Sequence, residues 1–196
     1  MISRALFITM LFLLIGVVAL GIYGLHLKHQ MELSAELAPE AKPVAAPVNG
    51  STAIIALFVP EDGSGVLVRR DVSVEVPSGQ SGRVREILRA LVSTCQAKNS
   101  THPLSSDADI REVFLPSPNL AVINTNAAFA DGHRSGILVE ELTLAAIART
   151  LAVNMPDIKQ FKLLIDGKER ETLAGHVDLL EIYPTDQQTW AQLLPR

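Results

Sequence analysis

The chain holds 196 residues, with one cysteine and five histidines to supply thiol or imidazole chemistry. A nucleophile needs an activating base in reach. Cys95 stands on a stripe in which Val84, Ile87, Leu88, Leu91 and Cys95 recur at three- and four-residue intervals, which makes it an inert core thiol. His26 and His29 belong to an apolar N-terminal segment and its edge, leaving His102, His133 and His176 in turn-like settings. None has a second histidine or cysteine at ligand spacing, so no zinc motif exists and each reads as a satisfied or solvated loop residue. Asp107 and Asp109 lack the glycine and distal glutamate of a calcium loop and read as solvated carboxylates. Asp131-Gly132-His133 invites a hydrolytic reading, yet no Gly-x-Ser-x-Gly nucleophile motif and no Gly-x-x-x-x-Gly-Lys phosphate loop accompany it.

Asp166 closes the run Leu163-Leu164-Ile165-Asp166-Gly167. It is either a carboxylate presented at a strand end or the first half of a tight turn. Asp-Gly after an alternating strand favours the turn, because both residues tolerate the positive φ that hairpin turns need. Paired carboxylates for glycan cleavage would be expected beside aromatic sugar platforms. The only aromatics past the N-terminal segment are Phe58, Phe114, Phe129, Phe161, Tyr183 and Trp190, four of them phenylalanines, and Trp190 is expected to pack on its own domain. No catalytic residue, cofactor-binding residue or metal ligand is therefore assigned, and no cofactor is expected.

The elements that would position these side chains follow from periodicity. Residues 53–59 form an almost continuous apolar run closed by Pro60 and a turn-rich Glu61-Asp62-Gly63-Ser64-Gly65, a buried strand. In residues 66–76, Val72, Val74 and Val76 alternate with Ser73 and Glu75, a strand with one wet face. The stripe ending at Cys95 is an amphipathic helix for which Ser81 or Gly82 can act as cap. Two strands, 110–115 and 120–125, flank a proline-bearing turn and are expected to be antiparallel neighbours.

A second helix over 136–153, capped by Ser135 and stopped by Pro156, carries only Glu140, Glu141 and Arg149 as charged residues. Its apolar residues spread round much of the circumference. Either it is the central helix, buried on all sides, or it keeps a surface for a partner. Residues 158–165 are the last strand, with Phe161, Leu163 and Ile165 on one side. The order strand, strand, helix, strand, strand, helix, strand predicts an α+β fold, a mixed β-sheet with two helices packed on one face.

Residues 5–27 carry no charged side chain except the weakly basic His26, long enough at about 1.5 Å per residue to cross about 30 Å of hydrocarbon. The expected organisation is a transmembrane anchor over 1–30, an Ala/Pro/Glu-rich linker over 31–50, a folded domain over 51–183 and a tail over 184–196. Ala19-Leu20-Gly21 offers the competing reading of a cleaved signal peptide, whose apolar region would be shorter. Arg4 ahead of the span and a short head favour a cytoplasmic N-terminus, which puts the C-terminal domain outside the cytoplasm. Past residue 50 there are 14 Lys or Arg against 18 Asp or Glu and no basic stripe, so nucleic acid is excluded as a natural partner.

The strand NLAVINTNAAFADG, the helix ELTLAAIARTLAVNMPDIKQFK and the closing LLIDGKERETLAGHVDL together resemble the GerMN domain family. The shared pattern includes Thr150-Leu151 near the helix end, the apolar-Asp-Gly turn, and then Gly175 and Asp178-Leu179. It spans residues 53–180. The resemblance implies a ring-building-motif-like α+β module, outside the bacterial cytoplasmic membrane, without established catalytic residues, whose copies pack side by side. The family's namesake carries two copies and this chain one. The expected function is a non-catalytic, membrane-tethered extracytoplasmic module for assembly or protein binding in the cell envelope, with envelope proteins, a second copy or cell-wall material as partners. The alternative is a cell-wall (peptidoglycan) hydrolase or cell-wall binding protein, using Asp131, His133 or Asp166. A small-ligand carrier would need a deep apolar pocket.

Overall fold

A computed structural model describes residues 51–186 and Trp190. The expected anchor (1–30), the linker (31–50) and the remainder of the tail lie outside the described residues. Among the described residues, no helix is long and apolar enough to cross a membrane.

The chain runs β1 (Ser51–Glu61), β2 (Val66–Val76), α1 (Gln80–Cys95), β3 (Ile110–Ser117), β4 (Leu120–Thr125), α2 (Ala127–Asp131), α3 (Ile137–Asn154), β5 (Gln160–Ile165) and β6 (Tyr183–Pro184). The α+β class and the order of the main elements are as expected. The single mixed sheet is not: the strands divide into a β1–β2 hairpin and a four-stranded sheet in the order β3-β4-β5-β6. That second sheet is the mixed one, with β3–β4 antiparallel, β4–β5 parallel and β5–β6 antiparallel.

The reason for the division lies on α3. The outward edge of β1 would be free to pair with a third strand, but Asn154 and Thr150 occupy it. Ala56 N–H donates to Asn154 Oδ1 at 3.1 Å, Asn154 Nδ2 donates to Ala56 O at 2.8 Å, and Phe58 N–H donates to Thr150 Oγ1 at 3.1 Å. Side chains of the helix thus satisfy a strand edge that would otherwise seek another strand.

The same packing settles the two readings of the second helix. Leu142 is buried, and Leu144, Ala145, Ala146, Ile147, Ala148 and Leu151 are buried in one core with Ile55 and Leu57 of the hairpin, Ile87 and Leu88 of α1, and Ile123 and Phe161 of the sheet. α3 is the central helix, and its apolar circumference is not a spare docking surface. Ile137 and Val153, at its two ends, remain exposed.

α1 buries the predicted stripe of Val84, Ile87, Leu88, Leu91 and Cys95. Its cap position is Gly79, with no side-chain cap bond, rather than Ser81 or Gly82. The cap position of α3 is likewise Gly136, with no side-chain cap bond, rather than Ser135. β3 runs on through Pro116 to Ser117, with a register shift between Phe114 and Ser117. Proline is tolerated there because β3 is an edge strand and its missing N–H costs no ladder bond.

Candidate functional site

Three segments meet over the first turns of α3. The turn after β1 brings Asp62; Gly65, at φ 69°, closes it by donating its N–H to Glu61 O at 2.8 Å. The loop after α1 brings His102, held where Thr101 Oγ1 donates to Pro60 O at 2.7 Å and Gln96 Nε2 donates to the carbonyls of Ser105 and Ala108, each at 2.8 Å. The segment after α2 brings His133 and Arg134. Gly132 must be glycine there, since a Cβ would stand 2.6 Å from Ser105 Cβ. α3 itself brings Thr143.

His102 Nδ1 lies 2.6 Å from Asp62 Oδ1, and its Nε2 lies 2.7 Å from Thr143 Oγ1. His133 Nε2 reaches the same Oγ1 at 2.7 Å, and its Nδ1 lies 2.7 Å from the carbonyl of Arg134. Arg134 Nη1 donates to the other oxygen of Asp62 at 2.7 Å. Burial lowers both imidazoles from their ordinary range; the bond to Asp62 opposes this for His102, and the Arg134 carbonyl opposes it for His133.

Asp62, His102 and Thr143 stand in the carboxylate–imidazole–hydroxyl order of a hydrolase relay. Access decides what that order can do. Thr143 is 4% exposed and His102 1%. The cavity beside them holds about 20 Å³, lined by Cys95, Leu104, Phe129 and Ala146 among others, room for about one water. An acyl group cannot reach the hydroxyl, so in this conformation the array fastens loops to a helix.

A second buried group lies one turn earlier. Glu140, fully buried, accepts the N–H of Gly136 (3.1 Å) on one oxygen and those of Ala174 (3.1 Å), His176 (3.1 Å) and Val177 (2.9 Å) on the other. His176 Nδ1 is 2.9 Å from Oε1. Burial alone would raise this carboxyl, but the bond from Val177, the His176 side chain and the bonds from Gly136 and Ala174 outweigh it and bring the pKa to about 2. The carboxylate is the anchor on which the loop containing Gly175 is wound.

The three residues of the hydrolytic reading are not joined into one site. Asp131 is salt-bridged to Arg170 at 2.5 Å, His133 belongs to the Thr143 array, and Asp166 pairs with Arg111 at 2.9 Å. Asp166, at φ 50°, and Gly167, at φ 73°, form a two-residue turn in which Ile165 and Lys168 exchange both backbone hydrogen bonds, at 2.9 and 3.0 Å. Cys95 is buried, and burial pushes its thiol up to about 12. Asp109 is a part-exposed loop carboxylate that is also paired; Arg89 holds it in two bonds, at 2.9 and 2.8 Å. Trp190 packs on the domain, its ring 5.7 Å from that of Tyr183 and its Nε1 donating to Pro184 O at 2.7 Å. Spacing along the chain missed the approach of His102 to His133, whose ring centroids are 5.7 Å apart. A larger open depression of about 410 Å³ is lined by Asn119, Lys159, Gln160 and Asp186 among others, not the deep apolar pocket of a carrier.

A family model described as "Germane: Sporulation and spore germination" matches residues 56–171. No curated protein matches the chain significantly. Among solved structures, the tandem GerMN domains of the sporulation protein GerM from Bacillus subtilis are similar at 18% identity and a TM-score of 0.50, over 67% of this chain and 45% of that one. The chain therefore spans just under half the length of that tandem pair. The first GerMN domain of the same protein aligns at 15% identity and a TM-score of 0.47, over 65% of this chain and 92% of that one. A candidate lipoprotein from Clostridium perfringens aligns at 17% and 0.47, over 72% of this chain and 91% of that one.

Proposed function

This chain belongs to the Germane family, described by sporulation and spore germination, and from that premise we propose that it is a non-catalytic module for assembly or protein binding in the bacterial cell envelope, tethered to the inner membrane with its domain outside the cytoplasm. One observation carries the reading. Among the described residues, the array closest to a catalytic order ends in a hydroxyl clamped between two imidazoles, with space beside it for about one water. The uncharged stretch over residues 5–27 and the Ala/Pro/Glu-rich stretch after it support the tether.

With α3 buried, docking falls to the face of the β3–β4–β5 sheet turned away from the core. Phe114 on β3 is 51% exposed, stands opposite Val122 on β4, and Val122 stands opposite Lys162 on β5, a row of paired residues on one side of the pleat. The natural partners of such a row are an envelope protein or a second copy of the chain, and the ring-building resemblance supports side-by-side packing as one form of it.

The hydrolase alternative is favoured by the Asp62–His102–Thr143 order and is separable by experiment. A photo-crosslinking phenylalanine analogue at position 114, in native membranes, is expected to give a discrete adduct with an envelope protein or with the chain itself. The same probe at the buried position 147 is expected to give none. Absence of adducts at 114, together with muropeptide release by the purified chain that Thr143→Ala abolishes, would replace docking by hydrolysis.

A further inference from the structure

We propose that the His102–Thr143–His133 bridge takes up one proton as a unit, carried by His102, and that this proton sets how firmly the turn after β1 is held against α3. The argument is a count of hydrogens. Asp62 Oδ1 is a carboxylate oxygen and the Arg134 carbonyl is an acceptor, so the Nδ1 of each ring must carry the hydrogen. Both Nε2 atoms then face one hydroxyl oxygen, each at 2.7 Å. A hydroxyl has one hydrogen to give and two lone pairs.

With both rings neutral, two Nε2 lone pairs compete for a single hydrogen, and one is left against an oxygen lone pair at contact distance in a buried place. With one proton added the count closes: one ring donates Nε2–H to Oγ1, and Oγ1–H donates to the other ring. A second proton would turn the hydroxyl towards the carbonyl of Val139, 3.2 Å away, and put two cations on rings whose centroids are 5.7 Å apart.

The charged surroundings choose the ring. Asp62, from the turn after β1, touches His102 directly, while Arg134 sits on the far oxygen of that carboxylate. Glu140 on α3 acts on His133 only through space, and its own oxygens are bound to the 174–177 loop and Gly136. α1 contributes Cys95, a neutral thiol on the shared cavity. The lone cation therefore belongs on His102, where it converts the contact with Asp62 from a hydrogen bond between a neutral ring and a carboxylate to an ion pair. Proton release weakens the clamp that joins the β1 turn, through His102 and Thr143, to α3.

The test uses the full chain in detergent micelles with nitrogen-labelled histidine. Between about pH 8 and about pH 5, the range in which histidine changes charge, ring nitrogen shifts should show His102 becoming imidazolium while His133 stays neutral with its hydrogen on Nδ1. Both rings should report one common midpoint. Once intrinsic exchange rates are divided out, protection of the Asp62 and Gly65 amides should rise several-fold on acidification. Thr143→Val should abolish the common midpoint and the gain in protection, and Thr143→Ser should restore both. Two neutral rings throughout, two imidazolium rings, or independent midpoints in the unsubstituted chain would overturn the proposal.

Discussion

Replacing Glu140 by glutamine tests whether a buried carboxylate, rather than the local sequence, shapes the loop that carries Gly175. The folded carboxyl titrates near 2 against an ordinary value of 4.5, so the unfolded chain binds the proton more readily. Stabilisation from this group is thus complete above about pH 4.5 and is lost as pH falls towards about 2. At about 1.4 kcal/mol per pH unit, the full contribution is about 3 kcal/mol, of which about 2 kcal/mol has gone by about pH 3. Glutamine cannot ionise but keeps one carbonyl oxygen for Ala174, His176 and Val177. Its amino group then faces Gly136 N–H, and His176 Nδ1 can accept from it by changing tautomer. Urea denaturation of both chains should show Glu140→Gln less stable by about 3 kcal/mol at pH 7, with the gap closing as pH is lowered towards the folded pKa. A gap that stays constant with pH, or no gap at all, would refute the assignment of the low pKa to this cluster of N–H donors.

Other expectations follow from the same geometry. Asn154→Ala strips Ala56 of partners for both its N–H and its carbonyl, and should lower unfolding free energy by about 1–3 kcal/mol in a denaturant titration. Asp166→Val places a β-branched residue at φ 50° and should cost about 1–2 kcal/mol, whereas Asp166→Asn should stay within about 0.5 kcal/mol, both read by thermal unfolding. Cys95, buried and with its thiol pushed up to about 12, should resist maleimide in the folded chain and react once denaturant is added; fast labelling under native conditions would contradict its place in the core.

The parts of this fold legible in the sequence are those whose cause is local. The α1 stripe could be read because five apolar positions at helical spacing need only one face to bury. The Asp166-Gly167 turn could be read because positive φ is a property of the residues themselves. The break between the two sheets could not. It depends on Thr150 and Asn154 reaching the edge of β1, which lies 92 and 98 residues away along the chain, and neither side chain differs by type from an ordinary residue near a helix C-terminus.

The candidate site was hidden for a related reason. Ligand-spacing rules look for histidines a few residues apart, whereas His102 and His133 meet through a threonine on a third segment. Glu140 has the sequence signature of a solvent-facing charge in a first helical turn, and only the 174–177 loop folding over it makes it the most enclosed acid among the described residues. Both clusters use α3 as the shared surface, Thr143 for one and Glu140 for the other, one turn apart. A helix that must bury nearly all of its circumference can keep a polar group only where another segment supplies the complementary hydrogen bonds. Thr143 and Glu140 therefore mark where the β1 turn, the 96–109 loop and the 173–179 loop must dock, so the helix that looks least informative in sequence is the one that positions the loops.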